Sequence, residues 1–337
     1  MSVTLSPKAV YDDGALAAFP PDGTRATFLY ARMIERLAQS VEEIIRGCAL
    51  HLKFKDSVLR LPQRLSDLSR VPAEAYCIYF DLLQAVRRDD LHACETFLLE
   101  MDTFLNAELP PFFRQWGALP ESTARRYLAY VNVDPTTKVD FKALSSSQFN
   151  QARSLADQAF EVLERAAPEI AAEIRALLTE IVFVSRGSES IGFDGATSFF
   201  CSGALFLNAH THDSLISMID GLSHESAHAH LFSLSFGDSF VLNPDNELYA
   251  SPLRRDPRPL DGIFHAAYVS ARMHYAHSHA VEARVLSKSE QKEARKALVA
   301  SHTAFQNGLK TLNEHASLTP LGDRVMDGAR SYMSGCS

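Results

Sequence analysis

The segment His224-Glu225-Ser226-Ala227-His228 determines the fold that we expect for this chain. Residues i and i+4 of a helix lie on the same face, so His224 and His228 can bind one divalent metal ion with Glu225 beside them. The surrounding sequence predicts a helix over Thr211–Leu234, with Thr211 as the N-cap. Small and polar residues share the face of the two histidines, which is typical of a helix that lines a cleft.

Candidate strands lie directly before this helix. Glu180–Ser185 is an apolar segment, and Thr197–Cys201 and Ala204–Asn208 follow after a Gly- and Ser-rich stretch, with a tight turn at Ser202–Gly203 between them. After the helix, a second helix is predicted from about Pro259 to Ala280, with proline at its start. The metal-binding half of the chain therefore combines a small sheet with two packed helices.

The remaining sequence is predicted to be helical, because apolar residues recur there at helical spacing. The predicted helices are Thr24–Gly47, Ala73–Arg87, Leu91–Asn106, Ser146–Ala167, Pro168–Thr179, Ser289–His315 and a shorter one near the end. Tyr127–Val133 alternates in hydrophobicity and is predicted as a short strand.

These elements predict a mainly α (α+β) fold. It is a helical bundle with a small sheet that precedes a zincin-like HExxH metal helix and a second packed helix. We expect an N-terminal arm over residues 1–23, a helical region over 24–179 and a metal-binding catalytic region over 180–337, which form one compact unit.

Composition narrows the class of protein. With 337 residues, 46% of them apolar, the chain can bury a sizeable core, and its net charge of −8 with scattered basic residues argues against nucleic acid as a partner. The five cysteines are widely spaced and odd in number, which favours free thiols. No segment approaches about 18 consecutive apolar residues, and no secretion signal is visible, so a cytoplasmic protein without a membrane partner is expected.

A catalytic metal usually takes three protein ligands, and two residues are candidates for the third. Glu247 lies 19 positions after His228 in a segment predicted as loop, whereas His265 lies 37 positions after it, within the second helix. We favour His265 because a packed helix can deliver it to the metal, but the alternative stays open.

The other histidines are not expected to bind the metal. His230 is two residues from His228 and points to nearly the opposite side of the helix. Most of the remaining histidines are expected to face solvent: His210, His212 and at least two of His274, His277 and His279.

The loop over residues 249–262 contains three arginines among three prolines, which makes it stiff and cationic. Because arginine can bind a carboxylate with two hydrogen bonds, such a loop suits a site that holds a dicarboxylate beside a metal. The alternative is a structural turn in which arginines pair with Asp256 and Asp261.

Residues His224–Leu231, followed by Glu247-x-Tyr-x-Ser-Pro-Leu-Arg-x-Asp-Pro-Arg-Pro-x-Asp-Gly-Ile-x-His-Ala-x-x-Val-x-Ala-Arg-Met273, resemble a known family. It is the HExxH-motif family of peptide-modifying proteins encoded near ribosomally synthesised peptide precursors. Its members are understood as iron(II)- and 2-oxoglutarate-dependent peptide β-hydroxylases. The resemblance covers about Asn208–Met273, and the first ~180 residues carry no motif of the family.

The resemblance implies an oxidoreductase, a dioxygenase that uses O2 to hydroxylate a side-chain β-carbon of a precursor peptide. The implied iron(II) ligands are His224, His228 and either His265 or Glu247. Arg254 or Arg258 would bind a carboxylate of 2-oxoglutarate. Glu225 would then handle protons or support the metal ligands.

Two other functions use the same residues. In a zinc peptidase, Glu225 would be the general base that takes a proton from metal-bound water. In a non-catalytic protein, the site would only bind a peptide. In either enzyme, an extended peptide could pair with a free edge of the strand Ala204–Asn208.

Overall fold

The computed structural model describes residues 11–133, 139–187, 193–235, 238–253 and 256–336. Most of these residues are helical, and short strands form a small mixed sheet. The predicted mainly α, α+β class is therefore confirmed. Within the same ranges, no helix combines the length and the apolar composition needed to cross a membrane.

The long helices agree with the predicted segments to within a few residues. The helices of the described ranges are α1 (Asp13–Leu16), α2 (Gly23–Cys48), α3 (Asp56–Leu59), α4 (Leu61–Asp67), α5 (Ala73–Arg87), α6 (Leu91–Phe104), α7 (Glu121–Val131), α8 (Ser146–Ala166), α9 (Pro168–Leu177), α10 (Leu215–Leu234), α11 (Leu260–Glu282), α12 (Lys288–His315) and α13 (Pro320–Ser334). Helix α2 starts where expected because the side chain of Asp22 accepts hydrogen bonds from the backbone N–H groups of Thr24 and Arg25.

The sheet lies against α10 and has β4 at one edge. Its strands are β1 (Phe113–Gln115), β2 (Phe141–Lys142), β3 (Glu180–Arg186), β4 (Gly195–Thr197) and β5 (Ala204–Asn208), in the order β1-β3-β5-β4 with β2 paired to β3. Strand β5 is parallel to β3 on one side and antiparallel to β4 on the other. The predicted free edge on Ala204–Asn208 is therefore wrong, since both edges of that strand are already paired.

Two predicted element boundaries are also wrong near the sheet. The segment Thr197–Cys201 is not a strand: β4 ends at Thr197, and Phe199–Cys201 forms a 3-10 turn. Helix α10 begins at Leu215 instead of near Thr211, because Ser214 caps it. The hydroxyl of Ser214 accepts a hydrogen bond from the N–H of Ser217, and the hydroxyl of Ser217 accepts one from the N–H of Ser214.

Tyr127–Val133 is helical up to Val131, so the predicted strand is wrong. Aromatic and apolar residues at positions 127, 130 and 131 fit the i, i+3, i+4 spacing of a helix as well as a short alternation. Tyr127 is fully buried, and its hydroxyl donates to Glu180 at the start of β3. Packing on the sheet thus decides the helical state.

The helical region and the metal-binding region share their core. One cluster of buried apolar side chains combines residues of α8 and α9 with residues of β3, β5 and α10. All five cysteines are free, and the thiols of Cys77 and Cys201 lie 3.3 Å apart. The boundaries at residues 23 and 179 stay predictions.

Candidate functional site

The helix pair α10 and α11 brings three imidazoles together. His224 and His228 lie on one face of α10, and their Nε2 atoms are 3.2 Å apart. The Nδ1 atom of His228 lies 3.0 Å from Nδ1 of His265 on α11. The contact that α11 makes with α10 therefore places His265 beside the two motif histidines. These three residues are called the histidine cluster below.

The spacing within the histidine cluster suits a metal at one edge. Two nitrogens bound tetrahedrally to one ion at about 2.0–2.1 Å lie roughly 3.3 Å apart, close to the separation of the His224 and His228 Nε2 atoms. His265 contacts the opposite nitrogen of His228, so its ring must turn toward that edge to supply a third ligand. As they stand, the described residues include no group of three or more metal-binding side chains around one point.

The protonation state of His265 also suits a metal. The His265 side chain is 12% exposed, and burial lowers its pKa, while Asp261 opposes this shift. The carboxylate of Asp261 is 4.0 Å from Nε2 of His265. His265 is therefore neutral at pH 7, and neutral imidazole is the form that binds metals. The donor chemistry fits a divalent transition metal at the His224–His228 edge.

Apolar side chains cover part of the histidine cluster. The sulfur of Met273 lies 3.3 Å from Nδ1 of His224. The ring of Phe232 is stacked on His228 with 6.3 Å between centroids, and it lies 5.5 Å from His265. Such surroundings limit the access of water and lower the local dielectric constant around a bound ion.

Phe232 belongs to a longer row of half-buried aromatic residues that reaches into the first half of the chain. Its ring lies 6.2 Å from Phe199, which lies 5.6 Å from Phe80 on α5. Phe200 contacts Phe80 at 4.7 Å and stacks on Tyr130 of α7 at 5.5 Å. These five residues are called the aromatic wall below. The sequence did not indicate it, because its members come from four separate segments.

Glu225 is anchored to the sheet and is only 5% exposed. Its Oε2 accepts a hydrogen bond of 2.8 Å from the hydroxyl of Thr197 on β4. Gly195 on the same strand makes this approach possible, because a Cβ there would lie 2.6 Å from Oε1 of Glu225. The carboxylate therefore lies between α10 and the edge strand β4.

The arginine loop shows one of the two ion pairs expected for a structural turn, the pair with Asp256. Nε of Arg258 lies 2.8 Å from Oδ2 of Asp256. The backbones of Arg258 and Tyr249 exchange two hydrogen bonds of 2.8 Å, which close the loop at its base. Arg254, the other candidate for binding 2-oxoglutarate, lies outside the described residues.

Glu247 lies in an exposed part of the loop. Its carboxylate accepts a hydrogen bond of 3.0 Å from Tyr249, whose ring packs on His315 at the end of α12. The structure thus brings His265 to His228, and the contact found for Glu247 points elsewhere. The identity of the third ligand stays a prediction, for which this geometry favours His265.

Several other histidines are more buried than predicted. His274 and His277 on α11 are 7% and 0% exposed, so the expectation that at least two of the three late histidines face solvent is wrong. Helix α12 packs along α11, and the ring of His274 lies 6.0 Å from the ring of His302 on α12. Nε2 of His277 lies 2.7 Å from Oδ1 of Asp220, and Nδ1 of His274 lies 3.0 Å from the hydroxyl of Tyr332.

His212 and His230 are buried as well. His212, predicted at the surface, lies between the carbonyl oxygens of Ser217 and Asp194, at 2.8 and 3.2 Å. His230 points away from the histidine cluster, as predicted, and its Nδ1 lies 3.0 Å from the hydroxyl of Tyr268. Burial lowers the pKa of His230 well below its usual value, and the buried arginines nearby add to the effect.

Together these groups can hold a divalent metal, limit water on one side of it and offer an apolar surface to a substrate. All three lie along α10: the histidine cluster at its contact with α11, the anchored carboxylate at its contact with β4, and the aromatic wall beside His228. No protein-family model and no curated protein matches the chain, so these residues are the evidence for its function.

Proposed function

We propose that this protein is an iron(II)- and 2-oxoglutarate-dependent dioxygenase that hydroxylates a side-chain β-carbon in a ribosomally made peptide. One observation carries the proposal: the helix within the Glu247–Met273 string places His265 against His228. The string is the part of the chain that most specifically resembles the peptide β-hydroxylases. Its packing on the HExxH helix supports the role of His265 that the resemblance implies.

In this proposal, His224 and His228 hold the iron, and His265 completes the set after turning its ring. When bound, iron and 2-oxoglutarate together with O2 supply the oxidation that converts C–H to C–OH and releases succinate and CO2. Arg258 or Arg254 binds a carboxylate of 2-oxoglutarate, and Arg258 would have to share or exchange its present pairing with Asp256.

The chain's own residues also define where the peptide lies. The aromatic wall extends from His228 to α5 and α7 and is only half buried, so it can pack against apolar side chains of the peptide. Glu225, hydrogen-bonded to Thr197, sits beside His224 in sequence and can hold or move a proton there.

A zinc peptidase is the second candidate, and the position of Glu225 favours it. The carboxylate lies against β4, the edge strand, along which an extended peptide could add by main-chain pairing. Glu225 would then take a proton from metal-bound water. A peptide-binding protein without catalysis is the third candidate and needs only the wall and the strand edge.

The decisive experiment is anaerobic reconstitution with Fe(II), followed by addition of O2, 2-oxoglutarate and peptides encoded beside the gene. We expect succinate formation and a mass gain of one oxygen on the peptide. The His224→Ala variant should abolish both, whereas His92→Ala, at an exposed position of α6, should leave both unchanged. Peptide cleavage that depends on zinc, without succinate, would instead establish the peptidase.

A further inference from the structure

A row of cations lies on one face of the first third of α12. All are exposed, and with Gln291 and Val299 they line a shallow groove of about 620 Å³. The cations are Lys288, Lys292, Arg295 and Lys296. They are called the basic stripe below. The end of the groove is apolar, since Val299 is 68% exposed.

The acidic residues in the same turns are engaged elsewhere. The carboxylate of Glu290 accepts the backbone N–H of Ser287 at 2.7 Å and completes the capping box of α12. The carboxylate of Glu293 accepts the hydroxyl of Ser214, the cap of α10, at 2.6 Å. Among the described residues, no ion pair involves a member of the basic stripe. A chain with a net charge of −8 thus presents a local excess of positive charge here.

Local helix stability does not account for the basic stripe. Lys288 is the first residue of α12, where the positive end of the helix dipole disfavours a cation. Four residues before α12, Arg284 adds another exposed cation at a φ of 56°, a conformation in which glycine is usual. Lys288 and Arg284, at this end of the α11–α12 hairpin, thus each occupy a position that a local backbone preference disfavours.

We propose that the basic stripe binds an acidic segment of a peptide; this inference rests on the proposed function, in which the substrate is a peptide. From Lys288 to Lys296 the helix rises about 12 Å, which about four residues of extended peptide would span. Alternating or consecutive carboxylates on such a segment can each meet a cation of the stripe. The exposed Val299 allows an apolar side chain at one end.

The position of the basic stripe makes it useful to the histidine cluster. Glu293 joins the same part of α12 to Ser214, the cap of α10, and His224 lies ten residues further along α10, about 15 Å away. An acidic segment bound to the stripe therefore holds the rest of its peptide at high effective concentration near the cluster.

Binding of a fluorescently labelled octaglutamate peptide to the full chain, followed by anisotropy at about 50 mM salt, tests this proposal. The variant is Lys292→Glu/Lys296→Glu, and the matched control is Lys53→Glu/Lys310→Glu, which changes the net charge equally at exposed positions outside the stripe. We expect affinity to fall about tenfold or more in the variant and to stay within about twofold in the control. Circular dichroism checks that both fold.

Equal losses in the two variants, or no binding by the natural chain, would overturn the proposal. Stripe-dependent binding of polyuridine RNA or of phosphatidylserine vesicles, without octaglutamate binding, would also overturn it and would assign the stripe to that partner. The assay needs neither metal nor O2, so its failure is distinct from a failure of the dioxygenase. Succinate formation without peptide should be the same in the stripe variant as in the natural chain.

Discussion

Helix α11 carries two buried polar sites that differ in how the chain supplies their partners. At one, the guanidinium of Arg272 is 2% exposed and donates to the carboxylate of Glu173 and, at 2.8 Å, to the carbonyl of Phe19. At the other, Nδ1 of His265 contacts Nδ1 of His228, and the carboxylate of Asp261 lies 4.0 Å from Nε2 of His265. Arg272 is matched by an opposite charge and a backbone acceptor, whereas the contacts described within the histidine cluster join imidazole nitrogens to one another.

A structural polar site and a candidate ligand site thus differ in how their polar groups are satisfied. A buried charge without a counter-charge is strongly unfavourable, so a structural ion pair has to be satisfied within the fold. A neutral imidazole needs no counter-charge, and its unprotonated nitrogen can accept a hydrogen bond or bind a metal. Arg272 therefore joins α11 to α9 and the N-terminal arm, whereas His265 on the same helix faces the candidate site.

The largest effect is expected when the Arg272 site is broken. In Glu173→Gln, Arg272 keeps its charge but loses its counter-ion, and Arg25, also buried, loses a nearby negative charge. We expect the free energy of unfolding to fall by about 3–5 kcal/mol, measured by urea denaturation. Glu164→Gln is the control, because its pair with Arg175 is half exposed and should contribute less than about 1 kcal/mol. A loss of similar size in the control would contradict the comparison.

The second prediction concerns the ligand site. His265→Ala should weaken Fe(II) or Co(II) binding by more than about 100-fold, because losing a ligand exceeds the effect of losing its supporting hydrogen bond. Glu247→Ala should leave the affinity unchanged, since the carboxylate contacts Tyr249. Anaerobic metal titration measures both variants. The reverse pattern would make Glu247 the third ligand and would remove His265 from the site.

A smaller effect is expected at Thr197, which connects α10 to the sheet. Thr197→Val removes the hydroxyl that donates to the buried carboxylate of Glu225. The free energy of unfolding should fall by about 1–3 kcal/mol, with metal affinity within about twofold of the natural chain. Thr303→Val, whose hydroxyl donates only to a carbonyl of its own exposed helix, should change stability by less than about 0.5 kcal/mol. Equal losses in both variants would argue against the anchoring of Glu225.

The last prediction concerns the pH dependence of stability at His274. Burial lowers its pKa from 6.5 to about 4, with smaller contributions from His302 and His277. On acidification the unfolded chain takes up a proton near pH 6.5, whereas the folded chain does so only near pH 4. This histidine therefore contributes stability above pH 6.5 that is lost as the pH falls from 6.5 to about 4.

Urea denaturation between pH 7 and pH 4 checks this difference. In His274→Asn, the free energy of unfolding should fall less steeply over that interval than in the natural chain. His92→Asn, at an exposed position, should keep the natural slope. Parallel curves for His274→Asn and the natural chain would show that His274 titrates alike in the folded and unfolded states.

The sequence predicted the elements whose local pattern leaves little choice. Helix α5 and strand β5 have the predicted bounds, because their apolar residues follow a long regular period or form one buried run. Tyr127 was misassigned because seven residues fit two periods, and the sheet that selects between them is distant in sequence. The burial of His277 depends on the packing of α11 against α10, where its Nε2 lies 2.7 Å from Oδ1 of Asp220.

The candidate site divides in the same way. Helical spacing alone places His224 and His228 together. The packed helix brings His265 to the opposite nitrogen of His228, and its role as a metal ligand stays a prediction. No local pattern indicates the aromatic wall, because its residues meet only in the folded chain. The adjacent pair Phe199 and Phe200, between two strand segments, is the one local signal that could have suggested it.

The glycine at position 195 makes the site sensitive to the presence of a single carbon atom. A side chain there, even a methyl group, would lie 2.6 Å from Oε1 of Glu225. In a deep mutational scan, alanine should already be depleted at this half-exposed position, which surface exposure alone would mark as tolerant. The position of the Glu225 carboxylate between α10 and β4 thus depends on the absence of a Cβ atom at residue 195.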